Sequence, residues 1–313
     1  KGEALTNRLQ SLDYLTKYHS TNATLGPLCS NLGRYWSWRW NDKPVVDFLK
    51  AVAKNNLNRD IRGQAVFAMG QLFASKSKEI ANFENWGKNS FFTNGFSADY
   101  LMALTQSGNS QTAADQAEKQ FQEVIANYAD CTDLRVNRNL GKKSPKLKTL
   151  AEENLFDLRH LSLGKTAPEI EAEDLDGKKF KLSDSRGKVC VLSFWASWCG
   201  PCMQMVPVER ALFDRLQGAS FAMIGVNGDA ILANAKRATT KEKMAWPSFW
   251  NGKGGPKGPI SEAWNVHGWP TIFILDAEGV IRYRTGGYGP NSSNELNGSV
   301  DELMKRMAAK NTR

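Results

Sequence analysis

The stretch KVCVLSFWASWCGPCMQMVP, residues 188–207, decides the reading of this chain. A hydrophobic strand runs directly into Trp198-Cys199-Gly200-Pro201-Cys202, and an amphipathic helix follows from about Pro201 to Leu216. Two cysteines three positions apart in the first turn of a helix bring their sulfurs onto one face. Four unpaired backbone N–H groups and the positive end of the helix dipole lie at that tip, so a thiolate is stabilised there. Cysteines in such a setting have pKa values of roughly 3.5 to 7.5 instead of about 8.5. Cys199, nearest the tip, is expected to be the exposed nucleophile, and Cys202, one turn inside, the resolving thiol. Attack on a disulfide would leave a mixed disulfide on Cys199, which Cys202 then displaces. Pro201 sets φ for the first helical turn without wasting a donor.

A C-x-x-C pair can also be half of a zinc site or a static cross-link. Zinc needs four ligands, and no second pair or His-rich cluster is present, so no metal is expected. The strand-to-helix placement and the flanking Trp198 argue for redox chemistry over a structural bond.

A second piece lies downstream: NVHGWPTIFILDAEGVIRYRTGG, residues 265–287. It reads as a Trp269-Pro270 bond, a strand, a D-A-E-G turn and a second strand. Proline is tolerated at the first residue of a strand. His267 is read as an exposed loop residue, with a charge-stabilising place at the rim as the sharper alternative. GKGGPKG at 252–258 lacks the G-K-[ST] ending of a phosphate loop and is read as an exposed loop.

Around these motifs, strand-like and helical runs alternate: KKFKL, KVCVLSFWA, FAMIGVNG, a helix near Ala230 to Lys243, TIFILD, GVIRYR, and a last helix from about Glu295 to Met307. Alternation of this kind implies an α/β domain with a central mixed sheet flanked by helices.

The first half has a different texture. KPVVDFLKAVAKNN puts Val46, Leu49 and Val52 or Ala53 on one stripe. RDIRGQAVFAMGQLFASKSKEI does so with Ile61, Ala65, Ala68 and Leu72, and AADQAEKQFQEVIANYAD with Ala117, Phe121, Val124, Ile125 and Tyr128. These are amphipathic helices that must pack on one another. Residues 114–130 resemble the second helix of a tetratricopeptide hairpin, but no copy recurs at a period of about 34, so a plain bundle is preferred. WSWRW at 36–40 is read as core or inter-domain packing in preference to a binding groove. KLKTLAEENLFDLRHL supplies one more helix, closed by Gly164 and Pro168. The expected organisation is an α-helical domain over 1–163, a candidate adaptor, and an α/β domain over 164–313.

The chain of 313 residues, 41% apolar and 23% charged, is long enough for two compact cores. No apolar run approaches the ~18 residues of a membrane crossing. The formal charge of +9 is scattered, and its densest patch, GKKSPKLK at 141–148, reads as a linker. No nucleic-acid-binding signature accompanies it, so no specific nucleic acid is expected. The first residue is Lys1, from which a trimmed or processed sequence is expected.

The motifs from Gly164 onward, GKTAPEIEAEDLDGKKFKLSDSRGK, FWASWCGPC, Pro207, FAMIGVNGD and GWPTIFILDAEGVIRYR, together resemble thioredoxin-fold thiol-disulfide oxidoreductases of the TlpA/ResA type within the redoxin superfamily. With its helical first half, the chain is similar to two-domain redoxins of planctomycete-type bacteria. The resemblance implies that Pro270 is cis, lies against the cysteine pair and helps hold a substrate peptide, so that Trp269, flanking that position, is expected to shape substrate access. It implies reduction of protein disulfides, an upstream thiol donor, no cofactor beyond the cysteine pair, and an extracytoplasmic home, periplasmic or membrane-associated. Gly200 and Pro201 between the cysteines resemble reducing members of the superfamily. A thiol peroxidase is the alternative, although Ala196 stands where peroxidatic loops carry Thr or Ser. A partner-binding module with an accessory redox domain is another. Two departures stand out: thioredoxins carry a buried Asp six residues before the first cysteine, where this chain has Ser193, and ResA-like proteins a Glu three after the second, where it has Met205. Asp229 and Glu209 are the candidate substitutes as proton acceptor for Cys202.

Three of the five cysteines remain. Cys190 is expected to be a buried, inert thiol inside its strand. Cys29 and Cys131 fall in the helical half and are read as free or buried, with pairing left open.

Overall fold

A computed structural model describes residues 2–35, 42–87, 93, 97–106, 108–135 and 144–311. The WSWRW motif and residues 141–143 of the GKKSPKLK stretch lie outside the described residues. The chain forms two compact units, one from Lys1–Lys88 and Gly95–Leu158, the other built on Arg159–Arg313.

The first unit is helical: α1 (Gly2–Tyr18), α2 (Gly26–Tyr35), α3 (Lys43–Asn55), α4 (Arg59–Trp86), α5 (Ala98–Gln106), α6 (Ser110–Asn127) and α7 (Leu147–Phe156). Helix α4 packs against α2, α3, α6 and α7, so the unit is a bundle around one central helix. The chain starts α4 with Asn58, whose side chain accepts from the N–H groups of Asp60 and Ile61. The expected stripe Ile61, Ala65, Ala68 and Leu72 is buried, and the helix runs on past Ile80 to Trp86. Close approach is purchased with glycine. A Cβ on Gly70 would come within 2.5 Å of the Phe121 ring, and one on Gly33 within 2.7 Å of the Ala68 backbone. In α6, Ala117, Phe121 and Val124 are buried, whereas Ile125 and Tyr128 are only half-buried. Cys29 and Cys131 are both buried and both free thiols. Helix α7 stops at Phe156, and its expected last turn widens into a π-helical turn, Asp157–Leu161.

The second unit carries a two-stranded hairpin, β1 (Glu171–Glu173) with β2 (Lys179–Lys181), and a five-stranded sheet in the order β5-β4-β3-β6-β7. Here β3 is Val189–Trp195, β4 Phe221–Asn227, β5 Ser248–Trp250, β6 Thr271–Leu275 and β7 Ile281–Gly286. β3 runs parallel to β4, and β4 to β5, while β6 pairs antiparallel with both β3 and β7. Helices α8 (Gly200–Arg215), α9 (Leu232–Lys241), α10 (Pro259–Ala263) and α11 (Ser292–Asn311) complete the unit, with α11 packed on β3 and α8. Every residue of the central strand β3 is buried, the signature of a strand covered on both faces.

The segment 252–258 is exposed at Lys253, Gly254, Pro256 and Lys257, in keeping with its reading as an exposed loop, but two of its glycines turn inward. Gly255 and Gly258 are buried because the segment wraps the side chain of Asn251. The Asn251 amide donates to the Gly255 carbonyl and the Ser261 hydroxyl, each at 2.6 Å. Its oxygen accepts from the N–H groups of Ile260 (2.9 Å) and Ser261 (3.1 Å), capping the short α10 from a distance. Asn251 is fully buried, so Asn251→Ala would orphan several backbone groups at once. We expect it to lower unfolding free energy by about 3 kcal/mol in urea titration, and a loss below about 1 would mean that water replaces the amide.

Candidate active site

Helix α8 begins at the cysteine motif. Cys199 is its N-cap, and the Cys202 N–H donates to the Cys199 sulfur at 3.1 Å. The two cysteines form a disulfide with Cα atoms 5.2 Å apart. In this oxidised form Cys199 is 5% exposed and Cys202 2%, which corrects the expectation of an exposed Cys199. Its sulfur is turned inward onto the first turn of α8, and the exposed lip is formed instead by Trp198, Gly200 and Pro201. Trp198 is 55% exposed, a large apolar side chain left in solvent beside the disulfide. A Cβ on Gly200 would meet nothing within 4 Å, so neither crowding nor backbone conformation demands glycine there.

The Trp269–Pro270 peptide bond is cis, and Pro270 is buried at the entry to β6. Its carbonyl accepts from the Gly287 N–H at 2.8 Å, which ties the loop after β7 to this turn. Trp269 meets Trp198 edge-on, ring centroids 6.2 Å apart, and Phe194 at 6.0 Å. The contact between the two indoles joins the cysteine motif to the proline motif. A Cβ on Gly228 would lie 2.6 Å from the Trp269 ring, so the end of β4 is bare where the indole rests.

Asp229 is buried and spends its carboxylate on the turn before the cysteines. It accepts from the Ser197 N–H (2.9 Å), the Ser197 hydroxyl (2.6 Å) and the Asn227 amide (2.8 Å). Three donors on one carboxylate make a clamp that holds the Ala196–Cys199 turn against the end of β4. His267 is exposed and lies 2.6 Å from the Asn265 side chain. Met205, at the position of the resemblance's second acid, is buried. The Cys190 thiol is buried in β3, and burial pushes it up to about 12.

Glu209 is the outlier. It is 2% exposed, two helical turns beyond Cys202, and accepts a hydrogen bond of 2.6 Å from the Ser193 hydroxyl. Burial pushes its carboxyl up to about 7, and the Ser193 hydrogen bond offsets part of that rise. Ser193 and Glu209 were each visible in the sequence, but their contact was not. The available signals were the i,i+7 spacing on α8 and the vacancy left by the family's strand aspartate.

Among the described residues, no group of three or more His, Cys, Asp or Glu side chains could hold a metal ion, and no helix is long and apolar enough to cross a membrane.

A mixed sheet of this order, with a C-x-x-C disulfide at a helix tip joined by packed indoles to a cis-proline turn, defines a thioredoxin-fold thiol-disulfide oxidoreductase. Comparison with known proteins narrows this. Residues 163–284 match the AhpC/TSA family model. The thioredoxin-like protein YneN of Bacillus subtilis is 33% identical over 123 residues, 38% of this chain and 68% of that protein. The thiol-disulfide oxidoreductase ResA of Bacillus thuringiensis is 30% identical over 121 residues, 39% of this chain and 68% of that protein. Among solved structures, the thioredoxin domain of a thiol-disulfide oxidoreductase from Bacteroides vulgatus is 25% identical, covering 44% of this chain and 98% of that one at a TM-score of 0.40. The chain belongs to the TlpA/ResA-like family of thioredoxin-fold thiol-disulfide oxidoreductases.

Proposed function

We propose that this chain reduces disulfides in protein substrates, with Cys199 as the attacking thiol and Cys202 as the resolving one. The observation that carries this reading is the hydrogen bond from the Cys202 N–H to the Cys199 sulfur at the tip of α8. A donor aimed at that sulfur, together with the helix dipole, favours the thiolate over the thiol. In the reduced protein, the Cys199 thiolate attacks one sulfur of the substrate disulfide and the other leaves as a thiolate. Cys202 then attacks Cys199, the intramolecular disulfide forms, and the second substrate sulfur leaves. Two electrons pass from the cysteine pair to the substrate, and an upstream dithiol donor restores the pair.

Pro270 and Trp269, with Trp198 across from them, are the proposed docking surface for an extended substrate peptide. Gly200 and Pro201 tune the helix tip. An extracytoplasmic location, periplasmic or membrane-associated, accords with the family resemblance. Residues 164–313 are the proposed redox domain and 1–163 the proposed adaptor, which pull-down with residues 1–163 alone would test.

The peroxidase alternative is not favoured, since Ala196 supplies no hydroxyl at the position that would bind peroxide. The same holds for a binding module with vestigial chemistry, given the intact cysteine pair. The test is reduction of a disulfide-bonded protein by the dithiol-treated chain. Cys199→Ser should lower the rate to that of the thiol donor alone, and an undiminished rate would overturn the assignment.

A further inference from the structure

Glu209 is a carboxyl group in the interior of the redox unit, and the exchange steps above do not use it. Burying an acid costs free energy unless charge or hydrogen bonds compensate, and a purely structural site is served as well by an amide or an apolar side chain. Glu209 makes no ion pair among the described residues. Ser193 lies within β3, the strand that leads into the cysteine motif, and its hydroxyl donates to Glu209 at 2.6 Å.

The placement is directional. Seven residues along a helix return to the same face about 10.5 Å further on. Helical side chains lean toward the N-terminus, so the Glu209 carboxyl is carried back from its own Cα toward Cys202. Both side chains are buried, at 2% exposure each, and Glu209 reaches the sheet through Ser193 of β3. The surrounding elements bring no competing charge. β4 and β6 contain no ionisable side chain, and β3 contributes only the Cys190 thiol. On α8, Arg210 is spent on the Glu242 carbonyl and Arg215 on Asp301 of α11. On α11, Glu302 is paired with Arg306, Glu295 accepts from Tyr283, and Lys305 is exposed.

We propose that Glu209, oriented by Ser193, takes up the Cys202 proton as that thiol attacks the mixed disulfide, so that a helix carboxyl performs here the task of a strand aspartate. The proposal rests on the reading of Cys202 as the resolving thiol. The Cys202 S–H proton passes to the Glu209 carboxylate by way of an intervening water. The Cys202 sulfur bonds to Cys199, the bond from Cys199 to the substrate sulfur breaks, and that sulfur leaves with the electron pair. The Glu209 acid then returns the proton to the departing thiolate or to water. Ser193 acts through Glu209, which makes it a positioning residue.

The carboxyl, raised to about 7 by burial, is matched to proton exchange near neutral pH. The test is single-turnover resolution of a preformed Cys199 mixed disulfide, followed against pH. Wild type should show a limb near neutrality. Glu209→Gln should lose that limb and resolve about 100-fold more slowly at pH 7. Ser193→Ala should move the limb to higher pH, since the hydrogen bond that lowers the carboxyl is gone. Ser193→Asp combined with Glu209→Gln should restore it by returning the acid to the strand. Unchanged rate and limb in Glu209→Gln would overturn the proposal, while capture of substrate by Cys199 in Cys202→Ser would still uphold the thiol-exchange reading. Loss of that capture would instead overturn the thiol-exchange reading. Should Glu209→Gln fail to fold, the Glu209 carboxyl is titrated by carbon NMR in wild type. A higher midpoint in the reduced than in the oxidised form supports coupling to Cys202, and equal midpoints overturn it.

Discussion

Cys202→Ser is expected to turn the protein from a turnover enzyme into a trap that ends each encounter with substrate bound to Cys199. The two sulfurs occupy one turn of α8, with Cα atoms 5.2 Å apart. Resolution is therefore intramolecular, and well-oriented intramolecular groups act at effective concentrations of roughly 10⁵ M or more. A serine hydroxyl cannot displace a thiolate, so only an external thiol can release the substrate. Turnover should fall by on the order of 10³-fold or more, limited by that external thiol. A stable covalent adduct, cleaved by excess reductant, should appear on non-reducing gels. Cys199→Ser should form no such adduct, because Cys202 lies one turn inside the helix, away from the N-terminal donor from which the Cys199 sulfur accepts. Continued turnover by Cys202→Ser without any adduct would sink the assignment of the two roles.

The second large effect is on stability. Glu209 titrates near 7 in the folded protein because burial disfavours its charge, against an ordinary value of 4.5. A folded-state pKa above the unfolded one means that the native state binds the extra proton between those two values. Its contribution to stability is therefore complete below about 4.5 and is lost as pH rises through about 7. At about 1.4 kcal/mol per pKa unit, the whole swing is on the order of 3 kcal/mol. Urea unfolding of the oxidised protein should weaken by that order between pH 4.5 and pH 8. Oxidation keeps Cys202 from titrating. Glu209→Gln, which holds a neutral isostere at the same place, should remove this slope and gain relative to wild type at pH 8. A wild-type slope that survives in Glu209→Gln would mean that another group is responsible.

Both effects trace back to how local or distant the underlying contacts are. The strands β3, β4, β6 and β7 and the helices α8, α9 and α11 were legible because each has a period of its own and enough residues to display it. The three-residue strands β1 and β5 and the five-residue α10 have too few residues to show any period. Asn251 carries no signal in the sequence, yet its amide organises the turn into α10. Its four hydrogen bonds go to three residues within ten positions, Gly255, Ile260 and Ser261, but only the folded chain turns them inward.

The sequence by itself determined the chemistry's location: two cysteines at a helix tip, one turn apart, after a buried strand, with an X-Pro turn downstream. That information is local, because helix spacing and dipole follow from neighbouring residues. It also separated a helical half from an α/β half, since periodicity changes along the chain. Only the tertiary structure decided what surrounds the cysteines. It set Trp269 against Trp198 and the bare Gly228, committed Asp229 to clamping Ser197, and brought Ser193 of β3 to Glu209 of α8. Those contacts join side chains from different elements, and their strength comes from burial and from the register of the sheet, which exist only after the chain has folded.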